Sequence, residues 1–268
     1  MTKENYTGED GLLYCGTCNE ALEEYFPADK VEFFGRDRHP RMCLCARERQ
    51  VLLEKKKEIE EHKQKVAKLR RECFQYGNYD KATFERSKRK NNQMTICQNY
   101  AAAWEKMKDQ NIGLLLWGDI GTGKTYFAAC IANALLEKEV SVRMLNFSHI
   151  LNTGFDERND LIESISRCSL LVIDDFGSER ETDFGLEIIH SVLDARYSCG
   201  KPMIVTTNLP LMALHAPADV MHKKIYDRLE NCVPIKFVGE SIRKELGSQK
   251  MEEFRQTLLN AQDSFRSS

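Results

Sequence analysis

The densest chemistry in this chain lies at Gly118, Asp119, Ile120, Gly121, Thr122, Gly123, Lys124 and Thr125. These residues fit G-x-x-x-x-G-K-[ST], a spacing that cradles nucleotide phosphates. The glycines let the backbone turn tightly and bring its N–H groups against phosphate oxygens. Lys124 reaches the β- and γ-phosphates of ATP, and the Thr125 hydroxyl can ligate Mg²⁺. A helix starting at such a loop adds partial positive charge where the phosphates sit.

Residues 169–175 read SLLVIDD, four apolar residues followed by acids. That pattern predicts a buried parallel strand carrying its acids to the carboxyl end, the edge where ligands gather. Asp174 would then hold Mg²⁺, directly or through water. Asp175 would orient or deprotonate the attacking water. A strand ending in an Asp turn reads the same way in isolation; the phosphate loop upstream gives the pair its meaning. Asn208 follows another apolar run, residues 203–207 (MIVTT). Its amide would position water near the γ-phosphate, or serve as a turn former before Leu209 and Pro210.

A second chemistry lies near the start. Cys15 and Cys18 form a C-x₂-C knuckle, and Cys43 and Cys45 form a C-x-C pair. Four thiolates can hold one Zn²⁺ tetrahedrally, and the metal would then fold the module. His39 is a substitute ligand or a solvated loop histidine. Tyr25, Phe26, Val31, Phe33 and Phe34 lie between the pairs, enough for a miniature core.

The elements that must position these groups are legible around them. Residues 113–117 (GLLLW) read as a buried strand, and residues 126–136 as an Ala-rich helix. Strand, glycine loop and helix in that order are the context the phosphate motif needs. Five short strands alternate with helices after residue 110, predicting a parallel α/β sheet with right-handed crossovers. Residues 94–108 read as one helix. Residues 183–197 read as an amphipathic helix whose core stripe is Phe184, Ile188, Val192 and Leu193. Residues 46–71 read as a charged amphipathic helix linking the cysteine module to the nucleotide domain. Leu52, Ile59, Val66 and Cys73 recur at heptad spacing there, but their partner positions are polar, which argues against a full coiled coil. The resulting organisation is 1–50 zinc-binding module, 51–92 helical connector and 93–268 ATPase domain.

Composition bounds the rest. The chain has 268 residues, formal net charge −2, 42% hydrophobic residues and ten cysteines. Charge is uneven: residues 1–34 are acidic, whereas residues 36–90 are basic, with a cluster at Arg86, Lys88, Arg89 and Lys90. Such a run marks contact with nucleic acid or an acidic protein, or a solvated helix face. Residues 1–10 are polar and acidic, and no apolar run reaches membrane-spanning length. The expectation is a soluble cytoplasmic protein without membrane contact. Cysteines in a reducing compartment favour metal or free thiols over disulfides.

Taken together, residues 70–245 resemble the AAA+ ATPases of the DnaC/DnaI helicase-loader group, with the IstB-type transposition ATPases as close relatives. The residues that carry the resemblance are GDIGTGKT at 118–125, LLVIDD at 170–175, VTTN at 205–208, YDRL at 226–229 and ESIR at 240–243. Members of the group often begin with C-x₂-C and C-x-C pairs as well. The resemblance implies an AAA+ P-loop fold in which a parallel sheet is flanked by helices. It implies that Lys124 and Thr125 are the Walker A pair and Asp174 the Walker B metal acid. Asp175 stands where many AAA+ proteins have Glu, which implies slow turnover. Asn208 matches sensor 1. Arg228 matches the arginine finger acting on a neighbour's ATP, and Arg243 matches sensor 2. The implied function is loading of a replicative DNA helicase onto single-stranded DNA, with ATP-dependent homo-oligomerisation. The alternative is a transposition helper ATPase that assembles on DNA and recruits a transposase.

Overall fold

The computed structural model describes residues 4–75, 77–152, 154–177, 183–216, 219–242, 251–252 and 254–255. The chain divides into two compact units, Met1–Gln64 and Lys65–Ser268.

In the first unit, β1 (Tyr6–Thr7) pairs antiparallel with β2 (Leu13–Tyr14). Then β3 (Glu23–Tyr25) leads through α1 (Ala28–Phe34) to β4 (Arg38–Pro40), its antiparallel partner. A long helix follows, α2 (Leu44–Cys73), and the unit boundary falls within it. The expected miniature core does not form. Tyr25, Phe33 and Phe34 are exposed, and the buried apolar residues described in this unit are Cys15 and Cys43. The aromatics instead stack on one another at the surface, Phe26 on Phe34 at 4.6 Å and Phe33 edge-on to Phe34. Along α2 the heptad stripe divides: Leu52 and Ile59 are exposed, while Val66 and Cys73, in the second unit, are buried.

The second unit continues with α3 (Asn92–Ala102) and α4 (Trp104–Asp109), two helices where the sequence suggested one. The backbone leaves helical geometry at Ala103, and Trp104, the next residue, is buried. Next come β5 (Gly113–Gly118), α5 (Lys124–Leu136), β6 (Val142–Asn146), α6 (Phe147–Asn152) and α7 (Phe155–Arg167). The remainder is β7 (Leu170–Phe176), α8 (Asp183–Ser198), β8 (Met203–Thr207), α9 (Leu211–His215), α10 (Val220–Asp227) and β9 (Cys232–Phe237). Among the described residues β5 to β9 form one parallel sheet in the order β6-β7-β8-β5-β9. The fold is the expected one.

Strand periodicity sorts the core into two layers. Leu114, Leu116, Leu170, Val172 and Ile204 pack on one face with α3 and α5. Leu115, Leu171, Ile173, Met203 and Val205 pack on the other with α6, α7 and α8. α5 is buried nearly all round, so Ala128, Ala129 and Ala132 keep it slim enough to lie against the sheet. Asn133 is the buried polar residue in its middle turns. Its amide donates to the carbonyls of Tyr79, Ala82 and Ala129 and accepts from Arg70 Nε, so one buried side chain ties residues 79–82 and the end of α2 to α5. On α8, Ile188, Val192 and Leu193 are buried as expected, but Phe184 is exposed. It lies in the first turn, where buried Gly185 and not Phe184 faces inward. No helix among the described residues is long and apolar enough to cross a membrane.

Candidate nucleotide site and cysteine centre

The tips of β5, β7 and β8 meet above the carboxyl edge of the sheet, around a cavity of about 640 Å³. The glycine loop enters it from β5. Gly118, Gly121 and Gly123 all adopt positive φ (133°, 84° and 101°), the region where a side chain is strained. Space forbids a side chain as well: a Cβ at Gly118 would lie 2.2 Å from the Phe237 carbonyl oxygen. Thr122 Oγ1 donates to the Asp119 carbonyl at 2.8 Å and closes the turn. Ile120 is exposed at the loop's crest. Lys124 and Thr125, the first residues of α5, line the cavity with Gly121 and Gly123.

Lys124 is buried, and its Nζ donates to the carbonyls of Gly118 and Asp119 and to Asn208 Oδ1 at 2.7–2.8 Å. Asn208 in turn donates Nδ2 to Asp175 Oδ1 at 3.0 Å. Lysine, amide and acid thus form one hydrogen-bonded chain across the strand tips. Asp174 is buried beside it and accepts from Thr206 Oγ1 at 2.7 Å. The same Thr206 oxygen accepts the Asp175 backbone N–H at 3.0 Å. The β7–β8 register slips between Ile173 and Phe176, and Asp175 adopts a left-handed φ of 60°. Irregularities of this kind re-aim side chains, and here both consecutive acids line the cavity although a regular strand would point them to opposite faces.

Several wall residues were given no role by the motifs. Thr206, inside the VTTN run at 205–208, is one. Tyr79, Arg86, Ser87, Lys88 and Arg89 form a second wall, held by Asn133 and by Tyr126 Oη donating to the Thr83 carbonyl at 2.9 Å. The basic run at 86–90 was visible in the sequence, but nothing local tied it to the phosphate loop. Beyond β9, the Ile242 N–H donates to the Gly121 carbonyl at 2.9 Å, and Ile242 lines the cavity. Arg228 does not line it. Its guanidinium pairs with Asp194 and Asp227, and the Asp194 hydrogen bond raises its pKa further. Arg243 falls outside the described residues.

In the first unit, the thiols of Cys15, Cys18, Cys43 and Cys45 all lie within 4.8 Å of one another. Two of the separations are 3.5 Å (Cys15–Cys45) and 3.4 Å (Cys43–Cys45). A Zn–S bond of about 2.3 Å in a tetrahedron sets sulfur–sulfur edges of roughly 3.8 Å, so the donor set fits the metal. Local structure brings the pairs together. The 15–20 turn closes with Cys15 N–H donating to the Glu20 carbonyl at 2.9 Å, and Asn19 sits at φ 57°. Cys43 precedes α2 and accepts its first helical hydrogen bond, from Arg47 N–H at 3.0 Å. Backbone N–H groups of Cys18 and Thr17 pull the Cys15 thiol down to about 6, favouring the thiolate a metal needs. Cys45, donating among its neighbours, is pushed up to about 12. His39 is not part of the cluster; its ring rests on Phe26 at 4.7 Å.

Strand order, glycine loop, paired acids and strand-tip amide define an AAA+ P-loop nucleotide-binding domain. The chain belongs to the IstB-like ATP binding protein family, whose profile matches residues 44–250. It is 31% identical over 149 residues to the replicative helicase loader DnaC of Escherichia coli (strain K12), covering 52% of this chain and 59% of that protein. The chain spans about half the length of the curated relatives it matches. Among solved structures it resembles the DnaC helicase loader (TM-score 0.52, 19% identity, covering 60% of this chain and 98% of that one). The crystal structure of DnaI is similar at TM-score 0.51 and 21% identity, covering 61% of this chain and 91% of that one. At these identities the structural likeness speaks for the fold.

Proposed function

We propose that this chain is an ATP-binding and ATP-hydrolysing helicase loader. The observation that carries the reading is the hydrogen-bonded chain Lys124–Asn208–Asp175 beside Asp174 and Thr206, inside one nucleotide-sized cavity. In this reading the loop amides and Lys124 bind the β- and γ-phosphates. Thr125 and Asp174 would supply hard oxygen ligands suited to Mg²⁺, and the ion would offset negative charge on the phosphates. Asp175 orients the attacking water, and Asn208 relays the state of the γ-phosphate to both Lys124 and Asp175. Asp175 is shorter than the glutamate common at this position, so turnover is slow until a partner or DNA improves its aim. Arg228 acts on ATP held by another copy, which makes nucleotide binding and homo-oligomerisation one process. Arg243 contributes a γ-phosphate contact from its own chain.

The cysteine centre takes zinc and folds the N-terminal module, which grips the replicative helicase, while residues 51–92 connect it to the ATPase domain at 93–268. The setting is the cytoplasm, on single-stranded DNA. Calorimetry with ATP tests the site: wild type binds, and Lys124→Ala binds at least about a hundredfold more weakly, since several charge-assisted hydrogen bonds are lost at once. Co-purification with the cognate replicative helicase tests the role; no association in either nucleotide state defeats it. The IstB-like family match favours a second reading, a transposition helper that assembles on duplex DNA. Preference for duplex over single-stranded DNA, with capture of a transposase and not a helicase, would select it.

A further inference from the structure

Arg228 sits in a setting that no sequence pattern announces. Its Nε donates to Asp194 Oδ1 at 2.8 Å and its Nη1 to Asp227 Oδ2 at 2.6 Å. The guanidinium carbon lies 4.8 Å from the centroid of the Tyr197 ring. Asp194 and Tyr197 are three residues apart on α8, hence on one face of the helix. Arg196, between them, points the other way. It is wholly buried, and its guanidinium donates to the carbonyls of Ile165, Cys168, Ser169 and Pro202. One stretch of helix is therefore pinned into the core by one arginine and holds a second arginine on its outer side.

That arrangement consumes part of the Arg228 fork and leaves the rest. Of its five N–H donors, Nε–H is taken by Asp194 and one Nη1–H by Asp227. The Nη2 edge makes no hydrogen bond among the described residues, and the side chain is 25% exposed. An arginine free to rotate loses rotamer freedom when it engages an anion; one clamped by a carboxylate and a ring has lost it beforehand.

We propose that Asp194 and Tyr197 are positioning residues that fix the plane of the Arg228 guanidinium and present its Nη2 edge to a phosphate held by a second copy of this chain. The proposal rests on the reading of Arg228 as a group acting between copies. Asp227 holds the near end of the same fork but shares the α10 terminus with it. Asp194 and Tyr197, on a separate element, are what give it a fixed direction.

Mixing full-length variants tests this. A Lys124→Ala chain keeps its Arg228 but loses its grip on ATP, and an Arg228→Ala chain has the reverse defect. Their equimolar mixture, with single-stranded oligonucleotide present, should regain phosphate release that neither shows alone. Adding Asp194→Ala to the Lys124→Ala chain should lower kcat of the mixture about tenfold, the scale of one hydrogen bond to a charged group. KM for ATP should stay unchanged, because the Arg228→Ala site that binds ATP is untouched. Asp194→Asn keeps an oxygen acceptor for Nε–H and should restore most of the rate. Tyr197→Phe should behave as the parent, and Tyr197→Ala as Asp194→Ala. An Asp194→Ala mixture as fast as the parent mixture overturns the proposal and leaves the trans reading of Arg228 standing. A parent mixture without activity overturns the trans reading, and the proposal with it. A slow mixture that Asp194→Asn fails to rescue, or whose KM rises, marks a purely structural pair and also overturns it.

Discussion

Thr206 does with one hydroxyl what the two acids cannot do for themselves. It donates to the Asp174 carboxylate and accepts the Asp175 amide, so both acids are registered to β8. Valine has nearly the same shape and neither bond. Thr206→Val should therefore lower kcat about tenfold by loosening the acids, with a smaller effect on ATP affinity, read by phosphate release and calorimetry. The residues of the glycine loop were legible because phosphate geometry dictates a contiguous pattern. Thr206 was not, because its role depends on a partner 32 positions away across a strand pair. Asp194 and Tyr197 were hidden for the same reason. The basic run at 86–90 was visible, yet Asn133 and Tyr126 on α5 decide where it goes.

At the scale of the element, period carried most of the reading. Continuous apolar runs marked β5, β7 and β8 as buried strands, and the Ala-rich run marked a helix; the two layers follow from the alternation of side chains along those strands. Breaks were harder. Ala103 divides one apolar-patterned stretch into two helices with buried Trp104 just after the break, and nothing in the residue itself says so. Phe184 satisfied the stripe on paper but lies in a first turn that turns its ring outward. The buried Arg196 broke the usual expectation for charge. It donates to four carbonyls at the end of α7 and just ahead of β7 and β8, two of which also receive Cys168 Sγ and the Leu171 N–H. Arg196→Met should fill the space yet take one donor from each of those buried carbonyls, costing about 3 kcal/mol of stability and lowering the melting temperature by thermal denaturation.

The whole molecule joins a unit whose described buried apolar residues are cysteines to a unit with a hydrocarbon core. With Cys15 and Cys43 as the buried apolar residues described in the first unit, a zinc ion bound by the four thiols would supply the core that hydrocarbon does not. Protein purified without chelator should carry about one zinc per chain. Strong chelation should remove the circular-dichroism and proteolysis signatures of residues 4–64 while leaving ATP binding by the second unit in place. The second unit should instead be sensitive to alkali. Burial raises Cys73, Cys97, Cys130 and Cys232 from an ordinary 9.0 to about 12. Unfolding lets these thiols ionise, so their contribution is intact below pH 9 and disappears as pH climbs toward 12. Chemical denaturation midpoints measured across that interval should fall.

The sheet has two margins, and both are spoiled for growth. On β6, Arg143 reaches out to the Glu72 carbonyl and to Gln75, laying chain over that border. On β9, Pro234 removes a main-chain donor from the opposite border. If the proposed gathering of copies takes place, it is thereby steered away from strand addition. Contacts between copies would then be made by side chains, which a nucleotide could reverse, and not by a backbone seam, which it could not.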